Sequence, residues 1–313
     1  MARPAPAPVL IAIGVITFGR PHMLAALLRS LEKAHAPHGT SLRVIVVDND
    51  ADGSARPVIE RSGMQPAVHY VVEPRRGIPV ARNRVIDEAR LLGADFLAFF
   101  DDDERVAPDT IERLYGRLCS DRVDAVGGPL HRRLPDDAPA WARVQEARTR
   151  HSAVQEHKRQ NLATNNVLIS MAFLERTGLR FDEAMRMSGG SDSDFFTRAR
   201  ELGARLDFEP DALVEETVPA SRLTLHWQFL RFYRQSLVTA RLSTKRYGRL
   251  YTFGRFAPRA LGRLFSGALF LLISLPFGPA AWLHPFKDIA SGAGLLVGAM
   301  GGNIDEYSKV HGH

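Results

Sequence analysis

The apolar run Phe96-Leu97-Ala98-Phe99-Phe100 stops abruptly in four consecutive acids, Asp101-Asp102-Asp103-Glu104. Bounded by Gly93 and Pro108, such a run reads as a buried strand whose C-terminal end presents carboxylates. In open α/β sheets ligands bind at that end of the strands. Adjacent carboxylates repel one another unless a cation sits among them, and a hard divalent ion with oxygen ligands is the natural partner. On an extended chain Asp101 and Asp103 face one side while Asp102 faces the other. A solvated acidic turn is the blander alternative.

Upstream, the same rhythm of buried strand and amphipathic helix recurs. Val9 to Ile16 is an apolar run, followed by Thr17-Phe18-Gly19-Arg20-Pro21 and by leucines at helical spacing, from Leu24 to Leu31. Leu42 to Val47 is a second strand that also ends in acids, Asp48-Asn49-Asp50, and Val68 to Val72 a short third one. Pro79 sits where a first helical turn tolerates proline, and Ala81, Val85, Ala89 and Leu92 carry the inward face of that helix. Arg75, Arg76, Arg82 and Asn83 are thereby gathered near the helix entrance, where guanidinium and N–H groups suit phosphate. Further on come a helix from Pro108 to Leu118, a short strand from Ala125 to Gly128, a helix from Trp141 to His157 and a strand-like stretch from Asn161 to Ser170. Gly189-Gly190-Ser191-Asp192 then opens another helix. Asp192 suits either a cap or a catalytic carboxylate. The expected fold is a mixed, mostly parallel, Rossmann-like α/β sheet covered by helices.

The net charge of +6 is unevenly spread. Residues 1–216 hold 29 Lys and Arg against 32 Asp and Glu, whereas residues 217–313 hold 12 against 3. Ten basic residues fall between Arg222 and Arg263 with no acid among them, just before the uncharged stretch Phe265 to Leu283. That order suits the cytoplasmic face of an anionic membrane better than a nucleic-acid groove. The stretch is long enough for a span, but Gly267, Pro276, Gly278 and Pro279 interrupt it, so a hairpin in the interface or two short re-entrant helices fit as well. The expected organisation is a catalytic domain over 1–220, a basic amphipathic helical segment over 221–263 and a membrane-associated region over 264–313. The single cysteine, Cys119, excludes an internal disulfide and is expected as a small buried helix residue.

Five ordered pieces together resemble family 2 glycosyltransferases of the GT-A fold. They are Val15-Ile16-Thr17-Phe18-Gly19-Arg20-Pro21, Val46-Val47-Asp48-Asn49, Ile78-Pro79-Val80-Ala81-Arg82-Asn83, Phe99-Phe100-Asp101-Asp102-Asp103 and Gly189-Gly190-Ser191-Asp192. The likeness spans roughly residues 9–240 and is strongest to bacterial exopolysaccharide enzymes of the succinoglycan type. It implies a UDP-sugar donor, with Asp48 on the uracil and Thr17, Phe18 and Arg20 lining that pocket. It also implies Asp101 on the nucleoside side, Asp103 holding Mg²⁺ or Mn²⁺ against the diphosphate, and Asp192 as the base in an inverting displacement. Arg82, Asn83 and Asp102 complete the expected donor site. Ser191 stands where the family usually has Glu, and Asp194 is an alternative base. The Q-x-x-R-W signature of processive synthases is absent, so one sugar per encounter is expected, on a lipid-linked saccharide at the cytoplasmic side of a bacterial inner membrane. The residues themselves leave open a metal-dependent nucleotidyl- or phosphotransferase, or a membrane scaffold or nucleic-acid-binding protein using the basic face.

Overall fold

A computed structural model describes residues 8–147, 162–185 and 189–302. Its centre is a seven-stranded sheet of order β3-β2-β1-β4-β8-β6-β9. The strands are β1 (Val9–Thr17), β2 (Thr40–Asp48), β3 (His69–Val72), β4 (Phe96–Asp101), β6 (Ala125–Gly127), β8 (Asn166–Ser170) and β9 (Leu206–Phe208). All run parallel except β8, which is antiparallel to both β4 and β6. The register sets Thr17 opposite Asp48 and Ile16 opposite Asp101, so the polar ends of three strands lie level. Because β8 runs the other way, it enters opposite Phe100, and residues 164 and 165 arrive at the same end.

Side-chain alternation divides the core in two. On one face Ala12, Ile45, Val47, Leu97 and Phe99 pack with α3 (Ile78–Leu91) and α7 (Ser191–Glu201), through Val85, Phe195 and Phe196 among others. On the other, Ile13, Val15, Val46, Ala98 and Phe100 pack with α1 (Pro21–Leu31) and α4 (Thr110–Asp121). The near-continuous apolar strands are those of a sheet covered on both faces. Between these elements lie α2 (Arg56–Arg61), α5, which is helical over 140–147, and α6 (Met171–Thr177). Of the helix expected from Trp141 to His157, the part beyond 147 lies outside the described residues. Cys119 is exposed on α4 rather than buried, because the core face of that helix is taken by Ile111, Leu114 and Leu118.

A second, three-stranded sheet that sequence reasoning missed stands over the end of β4. It pairs β10 (Val214–Thr217) antiparallel with β5 (Glu104–Val106) and parallel with β7 (Leu130–Arg133). The acidic residues therefore form a turn joining two sheets.

Three long helices follow: α8 (Leu225–Tyr247), α9 (Arg249–Ser274) and α10 (Pro279–Ala299). Helix α10 folds back onto the other two. A Cβ on Gly294 would stand 2.1 Å from the Tyr233 carbonyl oxygen, so glycine is what lets α10 lie against α8. The expected division between residues 263 and 264 falls inside α9, since the basic half and the apolar half of that helix are one continuous rod. The two short re-entrant helices expected as one option are instead two long ones.

Candidate active site

The level strand ends, the turn after β4 and the start of α7 surround a single cleft. Among its lining residues are Thr17, Phe18, Arg20, Arg82, Asp101, Asp102, Asp103 and Asp192, so eight of the expected site residues come together.

The alternation expected for the acids does not hold. Extended structure ends at Asp101, and Asp102 and Asp103 form a turn. Asp102 is 5% exposed and accepts from the Thr17 hydroxyl at 2.7 Å and from Arg20 at 3.2 Å. Asp103 lies between Arg20 at 3.6 Å and Arg222 at 3.5 Å. Asp101 looks towards Arg82 at 3.7 Å. Beneath them Glu104 is buried and accepts from the Asp101 backbone N–H at 2.8 Å, which fixes the turn. Burial pushes the Asp101 carboxyl up to about 7, with Arg82 opposing and Asp103 adding to the rise. Burial likewise lifts Asp102 to about 6 against the pull of Arg20, and lifts Glu104 well above its ordinary value. Among the described residues no three His, Cys, Asp or Glu side chains already converge as a metal cage. The chemistry of the donor set nevertheless fits a hard divalent ion: crowded carboxylates with raised proton affinity are oxygen donors short of positive charge.

At one end of the cleft, the Arg76 guanidinium lies 3.9 Å from the Phe18 ring centroid, a cation–π pair that makes a flat wall. Asn49, which also lines the cleft, accepts from the Gly77 N–H and donates to the carbonyls of Glu73 and Arg75, shaping the loop that carries Arg76. Asp48 is not in the cleft. It is fully buried, and its oxygens accept from Ala55 N–H, Asp50 N–H and the Tyr70 hydroxyl, so it organises the loop after β2 rather than touching a base. Burial raises its pKa while these donors pull it back. Asn83 is also diverted from the expected phosphate contact. Its amide bonds both ways with the Phe181 backbone and donates to Glu183, tying α3 to that segment. Arg75 likewise pairs with Glu73 and Glu183.

Asp192 stands in the first turn of α7, whose cap position is Gly190. Gly190 has φ +80°, and a Cβ there would meet Val238 of α8 at 2.3 Å, so the helix start is pressed onto α8 and Asp192 is aimed into the cleft. Its oxygens are not used for capping. One accepts from Arg82 and, at 3.2 Å, from Ser191; the other accepts from the Thr164 hydroxyl at 2.8 Å and Thr164 N–H at 3.2 Å. Burial alone would raise this carboxyl, but the Arg82 charge and the Thr164 donors hold it below the ordinary carboxylate value. Asp194 is paired with Arg198 at 2.7 Å and Lys245 at 3.0 Å and does not line the cleft. The second sheet brings further residues that strand reading missed, Arg132 and Glu216, with Arg222 after them. Their signal in the sequence was the charged ends of the short strands Leu130–Arg133 and Val214–Thr217.

With this geometry in view, the comparisons with known proteins are specific. The family model described as glycosyl transferase family 2 matches residues 12–178. The succinoglycan biosynthesis protein ExoM of Rhizobium meliloti (strain 1021) is 37% identical over 239 residues, covering 74% of each chain. The succinoglycan biosynthesis protein ExoO of the same organism is 30% identical over 205 residues, covering 59% of this chain and 55% of its own. Among solved structures, the mannosyltransferase PcManGT from Pyrobaculum calidifontis in complex with GDP-Man and Mn²⁺ superposes with a TM-score of 0.61 at 20% identity, over 92% of this chain and 87% of that one. That last likeness is one of fold, and it makes the mixed sheet GT-A-like.

Proposed function

Since the chain belongs to glycosyltransferase family 2, we propose that it transfers one hexose from a UDP-sugar, with inversion, to a lipid-linked saccharide in the assembly of an exopolysaccharide or surface glycan. The observation that carries this reading is the single cleft in which the turn from Asp101 to Asp103 faces Asp192 across Arg82.

The nucleoside lies against Phe18 and Arg76, and the diphosphate reaches Arg20 and Arg222, which now hold Asp103. Asp101 and Asp103 would hold Mg²⁺ or Mn²⁺, which supplies positive charge to the departing diphosphate. Asp192 takes the proton of the acceptor hydroxyl as its oxygen bonds to the anomeric carbon. The bond from that carbon to the diphosphate breaks, and its electron pair leaves with the nucleoside diphosphate. Asp192 is a weak base while Arg82 neutralises it. A diphosphate that competes for Arg82 raises the proton affinity of Asp192 when the donor is in place.

The membrane part of the reading is supported by α9. Among the described residues, Arg249–Phe277 is the helix long and apolar enough to cross a membrane, and little of it is buried. Arg255, Arg259 and Arg263 stand exposed on its first half; Phe265, Phe270, Leu272 and Phe277 stand exposed beyond them. From Phe265 to Ser274 the rise is about 15 Å, which is one leaflet rather than a bilayer. Helix α10 then turns back after Gly278, so the apolar tip reads as a hairpin dipped into the cytoplasmic leaflet with arginines at the headgroups.

The test is release of nucleoside diphosphate from UDP-Glc, UDP-Gal, UDP-GlcNAc and GDP-Man with Mn²⁺ or Mg²⁺, with and without a lipid-linked saccharide. Acceptor-stimulated release from a UDP-hexose is the expected result. Release from GDP-Man alone would reassign the donor, and release from none would overturn the reading.

A further inference from the structure

A second, smaller cavity lies behind the donor cleft, between the small sheet, α5 and the first turns of α8. It meets the cleft at Arg132, Glu216 and Arg222, which line both. Resting on the glycosyl-transfer reading above, we propose that this cavity binds the hexosyl-phosphoryl group of the acceptor, with Arg231 on the phosphate, Gln228 on a sugar hydroxyl, and Trp141 and Trp227 against the ring.

Two polar side chains in its wall lack partners that the fold should have supplied. Gln228 is 5% exposed; its amide N–H donates to the Arg222 carbonyl at 3.1 Å, but its Oε1 accepts nothing. A buried acceptor without a donor costs its full desolvation, so a ligand hydroxyl is what this oxygen is short of. Arg231 is partly buried and has no hydrogen bond or ion pair among the described residues; its guanidinium lies 5.4 Å from the Trp227 ring. The nearby acids are committed elsewhere. Glu216 pairs with Arg222 and, at 3.6 Å, with Arg132, and Glu146 accepts from the Arg132 N–H at 3.2 Å. Burial and the like charge of Arg132 push the Arg231 pKa down to about 10, with the charges of Glu216 and Glu146 opposing. An anion, a hydroxyl donor and an apolar ring face are together the complement of these walls, and a sugar phosphate carries all three.

The position of the cavity says where such a group comes from. Trp141, with Leu223 and Val218, forms a small apolar cluster, and Leu283 from the start of α10 packs against it. Leu283 ends the uncharged stretch that forms the hairpin tip, so the cavity stands where that hairpin meets the catalytic domain. A phosphoryl group linked to a lipid in the leaflet would arrive there.

The experiment reads binding without turnover. The full chain, in detergent and saturated with UDP and Mg²⁺ to fill the donor cleft, is titrated by calorimetry with glucose 1-phosphate, glucose, inorganic phosphate and a short-chain prenyl phosphoglucose. Glucose 1-phosphate is expected to saturate one site, at least about ten-fold tighter than glucose or phosphate alone, with the prenyl compound tighter still. Arg231→Gln should weaken it about ten-fold and Gln228→Leu by several-fold, with UDP affinity unaltered, while Arg231→Lys recovers part of the loss. No saturable binding, equal binding of glucose, or an Arg231→Gln variant with undiminished affinity each overturns the proposal. Equal affinity for glucose 1-phosphate and the prenyl compound keeps the site and assigns a soluble phosphorylated ligand. Arg231-dependent binding in a chain that transfers no sugar would sink the glycosyl-transfer reading and leave the cavity assignment intact.

Discussion

Arg82 donates to Asp192 while standing 3.7 Å from Asp101, so one buried guanidinium links the end of β4 to the start of α7. This link makes the two carboxylates neighbours in charge although they belong to different elements. Asp192→Asn keeps the shape and the Thr164 hydrogen bond but cannot take a proton. Sugar transfer should fall by about 10²-fold or more while UDP binding is retained, and the unfolding midpoint should drop because the buried Arg82 loses its charged partner. Asp194→Asn removes only the partner of Arg198 and Lys245 and should leave most of the transfer rate. Steady-state transfer measured beside UDP binding decides it, and the opposite pattern would move the base to Asp194.

Asp102→Asn is expected to matter nearly as much as Asp103→Asn. Asp102 is the buried partner of both Thr17 and Arg20, so losing its charge frees Arg20 and loosens the wall of the nucleoside pocket. Donor affinity should drop by roughly ten-fold, on the scale of one charge-assisted hydrogen bond. Thr17→Val should cost less, because the Arg20 pairing survives. A silent Asp102→Asn variant would show that this contact does not shape the pocket.

What the sequence made legible is what repeats locally. The apolar runs ending in Asp48 and Asp101, Pro79 at the entrance of α3 and Gly190 before α7 each carry a local signal, and each element formed where expected. Pairing between distant residues carries no such signal. Extended alternation breaks at Asp102 because Glu104, paired in the second sheet through β5, accepts from the Asp101 N–H and closes a turn. Asp48 looked like a ligand contact, yet the loop after β2 folds over it and supplies its donors. Arg132 and Glu216 sit on strands of three or four residues whose charged ends are visible in the sequence, but they reach the cleft only through the pairing of those strands.

Metal should stabilise the protein more at alkaline than at acidic pH. The Asp101 carboxyl is raised from 3.8 to about 7, so between those values the folded chain binds a proton that the unfolded chain has released. Stability from this group is therefore full below about pH 4 and declines as pH rises towards 7. A divalent ion replaces the missing positive charge only when the carboxyl is ionised. Adding Mn²⁺ should raise the Tm clearly at pH 8 and little at pH 5. An Asp101→Asn variant should lose that difference, and an equal shift at both pH values would remove Asp101 from the metal site.

The hairpin prediction separates its two physical contributions. Phe265, Leu272 and Phe277 are 76%, 67% and 73% exposed, and burying each in acyl chains contributes about 1.5–3 kcal/mol. Arg255, Arg259 and Arg263 at the headgroups contribute about 1 kcal/mol each, and only against anionic lipid. Replacing the three apolar residues by Ser should weaken sedimentation with neutral vesicles most and with phosphatidylglycerol vesicles less, with the UDP affinity retained because the cleft is untouched. Replacing the three arginines by Gln should instead lower binding to phosphatidylglycerol vesicles and leave binding to neutral vesicles nearly unchanged. High salt should mimic the arginine variant and not the apolar one, since screening reaches charges and not burial. If the apolar variant sediments with both kinds of vesicle as fully as the parent chain while high salt releases it, α9 is held by charge alone and the tip does not enter the leaflet. If both variants stay bound and salt has no effect, the hairpin is covered by protein instead of lipid.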